Sequence, residues 1–158
     1  MEATDGARLP VIVDASSCTA GFKDMLESVG ITVLDAISFT ADTLLPQLAV
    51  KNPAASVTVH PTCSAFQLGM MEDVEKVARA AAAEVHIPTD WNCCGYAGDR
   101  GMLHPELTDA ATRAEAAQVK EIGAQYHAST NRTCELGLTR ATGEDYHHIL
   151  ELLEQATR

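Results

Sequence analysis

Five cysteines are the side chains in this 158-residue chain best equipped for chemistry, and their spacing is uneven. Cys18 lies far upstream, Cys63 stands alone, Cys93 and Cys94 are adjacent, and Cys134 stands alone. Twenty-nine residues separate Cys63 from Cys93 and 39 separate Cys94 from Cys134. That pattern is neither the paired CxxC of a zinc ribbon nor the tight run of a bacterial ferredoxin. Thiolates are soft ligands suited to zinc and iron–sulfur centres, whereas a free cysteine is commonly a small buried hydrophobe, the plainer reading for Cys18. Adjacent cysteines in a glycine-rich turn are poor core material. Gly95, Gly98 and Gly101 recur every third residue after the pair and let the backbone approach a bound group closely. Arg100 in the same loop, and Arg132 just before Cys134, each offer a cation to an anionic centre or else a salt bridge to a neighbouring loop. His60, three residues before Cys63, is either a ligand, a donor to sulfur, or a strand-end histidine bonded to backbone. Trp91 gates access beside Cys93 or simply packs. His147 and His148 read as surface residues of the last helix.

The elements that must position these groups alternate. Val11–Val13 reads as a buried strand after Pro10, followed by a helix from Thr19 to Val29 that Gly30 stops. Ile31–Phe39 is the second strand candidate, and Thr40 caps a helix from Ala41 to Val50. Val57–Val59 is a third strand, 71–83 an amphipathic helix, and Val85–Ile87 a fourth strand. Thr108 caps a helix that runs to Ile122 and stops at Gly123. Residues 125–130 form a last strand, and a final helix after Gly143 carries Tyr146, Ile149, Leu150 and Leu153. Alternation of this kind predicts one α/β domain, a parallel sheet with helices on both faces. The cysteines follow strands, so such a sheet gathers them along its carboxyl edge, where open α/β sheets bind ligands. Helix N-termini after them would favour thiolates.

A formal charge of −11 excludes a phosphate-backbone partner, which needs a basic stripe. No apolar run reaches the ~20 residues of a membrane span, and the polar segment 1–10 lacks a secretory h-region. With an odd cysteine count, these features point to a reducing, cytoplasmic setting. No dinucleotide fingerprint or P-loop is present.

Three segments, His60-Pro61-Thr62-Cys63, Cys93-Cys94-Gly95-Tyr96-Ala97-Gly98-Asp99-Arg100-Gly101 and Asn131-Arg132-Thr133-Cys134-Glu135-Leu136-Gly137, resemble the cysteine-rich CCG domain. That domain occurs in heterodisulfide reductases and in the iron–sulfur component of glycolate oxidase, and the likeness is greatest to the C-terminal CCG repeat of FAD-linked D-lactate dehydrogenases. The resemblance implies that Cys63, Cys93, Cys94 and Cys134 hold an iron–sulfur cluster of the 4Fe-4S kind, or zinc. It implies an electron-transfer module of a D-lactate or D-2-hydroxyacid dehydrogenase, a fragment or subunit of a larger oxidoreductase. The FAD would then lie in a partner flavin-binding domain, with a downstream electron acceptor and a place at the inner face of the membrane through the larger enzyme. Gly137 stands where many members carry a further cysteine, so four thiolates are expected rather than five, with Cys18 free. A structural zinc module docking a flavoprotein, and a thiol–disulfide switch at Cys93-Cys94, are the alternatives.

Overall fold

The computed structural model describes residues 2–158; Met1, the first residue of the polar N-terminal segment, lies outside them. Six short strands, β1 (Val11–Val13), β2 (Val33–Asp35), β3 (Ala54–His60), β4 (Ala82–His86), β5 (Tyr126–Ser129) and β6 (Tyr146–His148), alternate with helices. All pair in parallel. They form two sheets, β1-β2 and β4-β3-β5-β6. The helices are α1 (Ser16–Leu26), α2 (Ala36–Phe39), α3 (Cys63–Gln67), α4 (Met71–Ala81), α5 (Arg100–Leu103), α6 (Pro105–Ile122), α7 (Arg132–Thr142) and α8 (Ile149–Thr157).

Strand alternation decides what β3 presents to each side. Val57 and Val59 enter the main core with Val74, Val77 and Ala81 of α4 and Ile149, Leu152 and Leu153 of α8. Thr58 and His60 therefore face the other layer, where α6 packs on α7 and α7 on β5 and β6. The two sheets are tied by buried hydroxyls. Ser16 Oγ lies 2.9 Å from Thr62 Oγ1 and 2.6 Å from Ser64 Oγ, and Thr62 Oγ1 lies 3.1 Å from Thr130 Oγ1. Thr62 also caps α3, accepting from the Ala65 N–H, and so fixes the turn that carries Cys63.

The parallel α/β architecture is the one expected, and four details within it need correction. The strands divide between two sheets. The second strand stops at Asp35, because its carboxylate accepts the Ile37 N–H and starts α2 there. The following helical stretch thus begins five residues before Ala41, passes through a π turn at Thr40–Leu44, and ends in a 3-10 turn containing Pro46. Tyr146–His148 is a strand beside β5, not the start of the last helix; the apolar spacing of Tyr146, Ile149, Leu150 and Leu153 imitates a helix across the boundary. His148 instead caps α8 through Nδ1 and is half-buried, whereas His147 is exposed. Finally, α6 starts at Pro105, where a proline costs no helical bond, and Thr108 is a buried residue of its interior.

Candidate functional site

The carboxyl ends of β3 and β5 and the loop after β4 converge. Cys63 is the first residue of α3, Cys93 and Cys94 lie in the loop, and Cys134 sits in the first turn of α7. All four line one cavity of about 170 Å³, together with Ser17, Ser64, Ala97, Gly98, Asn131 and Thr133. Cys94 and Cys134 are buried at its floor with Sγ atoms 2.9 Å apart, while Cys63 and Cys93 meet nearer the rim with Sγ atoms 3.9 Å apart. The vicinal pair is thus divided between two partners. Cys18 is exposed on α1 and is not part of the lining.

The electrostatics follow from that crowding. The hydrogen bond with Cys134 brings the Cys94 thiol down to about 6, helped by the backbone N–H of Tyr96 and by His60. The same bond, with burial, holds Cys134 well above the ordinary thiol range. Burial, then the neighbouring Cys93, raises Cys63.

Beneath this floor lies His60, wholly buried. Its Nδ1 sits 2.8 Å and 3.0 Å from the two carboxylate oxygens of Glu115 on α6. Nε2 is buried and has no hydrogen-bond partner among the described residues. A ring nitrogen of His60 and the Sγ atoms of Cys94 and Cys134 lie within 4.8 Å of one another, a donor set suited to a metal ion. An orphaned buried nitrogen costs roughly 1–3 kcal/mol, and two soft thiols beside it are what zinc or iron would satisfy. The residues therefore fit a metal–thiolate centre. Sequence reasoning did not foresee Glu115. Its signal was there: Thr108, Thr112, Glu115, Ala116 and Val119 fall on one helical stripe, all buried, and a carboxylate on a buried stripe needs a partner.

The remaining residues are placed as follows. Gly98 lines the cavity with φ +74°, a left-handed conformation that favours glycine. Gly95 packs against α6, where a Cβ would meet Leu107 O and Ala111 Cβ at 3.1 Å. Gly101 faces Tyr96 rather than the cysteines: a Cβ there would stand 2.7 Å from the Tyr96 ring and 2.9 Å from Thr108 Oγ1. Gly137 abuts the same ring, so its side is occupied by Tyr96 and Thr108. Arg100 is exposed at the start of α5. Arg132 pairs with the buried Glu135 at 2.8 Å. Trp91 lies edge-on to His60, ring centroids 6.4 Å apart, and 6.0 Å from the exposed Phe66.

A family model described as a cysteine-rich domain, CCG, matches residues 57–139. Among curated proteins, "Lactate utilization protein A" of Oceanobacillus iheyensis is 28% identical over 105 residues, which cover 61% of this chain and 43% of that protein. The chain thus spans less than half the length of the relative it matches.

Proposed function

Because the chain belongs to the CCG cysteine-rich domain family, we propose that it is an iron–sulfur electron-transfer module of a FAD-linked D-lactate or D-2-hydroxyacid dehydrogenase. The observation that carries this reading is the convergence of Cys63, Cys93, Cys94 and Cys134, from three separate segments, on one cavity. These four would hold the centre, and the centre would supply one-electron chemistry when bound. The chain's own part is to gather the thiols and screen the floor from water. The similarity to a protein named for lactate utilization supports a 2-hydroxyacid as the electron source. The flavin and substrate pocket would then belong to a partner domain or subunit in the cytoplasm or at the inner membrane face. Among the described residues no helix is long and apolar enough to cross a membrane.

Anaerobic preparation followed by iron and acid-labile sulfide analysis tests the proposal. Brown protein with both is expected. Zinc without sulfide, in protein that passes no electrons when rejoined to a flavoprotein, would favour a structural zinc module. Colourless, metal-free protein would defeat both readings and favour a dithiol switch, at Cys93-Cys94 or between Cys94 and Cys134, whose sulfurs lie 2.9 Å apart.

A further inference from the structure

We propose that His60 is itself a ligand, so that the centre is a mixed imidazole–thiolate site in which Glu115 holds the ring. This rests on the reading that the cavity binds a metal.

The chemistry of the dyad fixes which nitrogen is offered. Carboxylate oxygens accept hydrogen bonds, and both oxygens of Glu115 crowd Nδ1. The ring hydrogen therefore belongs on Nδ1, which leaves the Nε2 lone pair uncommitted. That lone pair is buried without a partner, and the ring is within reach of the Cys94 and Cys134 sulfurs. Carboxylate, imidazole and metal in line is the usual arrangement of a metal-bound histidine, because the carboxylate fixes ring orientation and raises ligand basicity. Bonds to one ion of roughly 2.0–2.1 Å from nitrogen and 2.3 Å from sulfur require donor atoms gathered close together, and these three lie within 4.8 Å of one another. Trp91, edge-on to the ring, restricts it further. With four thiols already lining the cavity, a four-coordinate ion would take His60 in place of one of the two rim thiols, Cys63 or Cys93.

X-ray absorption on the zinc-loaded, tag-free chain, with electron-spin-echo spectroscopy on the reduced iron-loaded chain, reads the ligands directly. One imidazole nitrogen bonded to the metal is expected in wild type. His60→Ala should lose that nitrogen and at least 10-fold in metal affinity. Glu115→Gln, which still accepts from Nδ1, should keep the nitrogen and weaken binding about 10–100-fold. Should the buried variants misfold, the wild-type spectra decide alone. A bound metal with sulfur ligands only, or a nitrogen signal that survives in His60→Ala, overturns the ligand assignment and leaves the electron-transfer proposal standing. Failure of wild type to bind iron or zinc overturns both.

Discussion

At the scale of single residues, depth separates the five cysteines. Cys94 and Cys134 are buried at the floor, Cys63 and Cys93 form the rim, and Cys18 is exposed on α1, next to the lining residue Ser17 but outside the lining. Cys134→Ser should remove metal and the visible spectrum, whereas Cys18→Ser should keep both; metal analysis and absorption spectra compare the two. The motif residues were legible because their types are uncommon and their spacing follows strand ends. His60 was legible only as a choice among roles, since what it touches depends on Glu115, 55 residues away on an alanine-rich helix. Sequence distance hides such a pair. A parallel sheet with a covering helix brings it together.

At the scale of elements, the loop after β4 is shaped by one aromatic ring held between two glycines. Gly101→Ala would drive a methyl group into Tyr96 and Thr108, and overpacking of this kind costs about 1–3 kcal/mol. The melting temperature should fall by several degrees. Replacing Tyr96 by leucine in the same chain should recover part of that loss, a non-additivity that a double-mutant cycle measures. Gly137→Cys meets the same ring and should lower stability without raising the metal content. The other layer carries an acid-sensitive contact. Burial lowers the His127 pKa against a weaker pull from Glu144. A histidine kept neutral in the fold is charged more readily when unfolded, so its stabilisation is complete above about pH 6.5 and is lost as pH falls below it. Metal-free protein should melt lower at pH 5 than at pH 7.5, and His127→Asn should show a smaller difference between the two. Element type was readable wherever apolar periodicity ran long, as in α4. It failed at Asp35 and Tyr146, where one side-chain cap or one strand pairing outweighs the local pattern.

At the scale of the molecule, three segments far apart in sequence meet only through the folded sheet, so a bound metal clamps tertiary structure and adds its binding free energy to folding. Loaded protein should melt well above the chelated form, with the difference largely abolished in Cys134→Ser. The alternation of strands and helices announced parallel architecture. It could not announce that β1 and β2 pair apart from the other four strands, because that order depends on how α1 and the buried hydroxyls seat the first unit. The single tryptophan of the chain has a consequence of its own. Trp91 stands edge-on to the histidine beneath the deep thiols, so all indole fluorescence originates beside the cavity. An iron–thiolate chromophore absorbs where indole emits and will drain that emission by energy transfer, while zinc, transparent there, will leave it bright. With iron or zinc bound in the cavity, the protein would thus carry an unlabelled optical gauge of both occupancy and the identity of the metal.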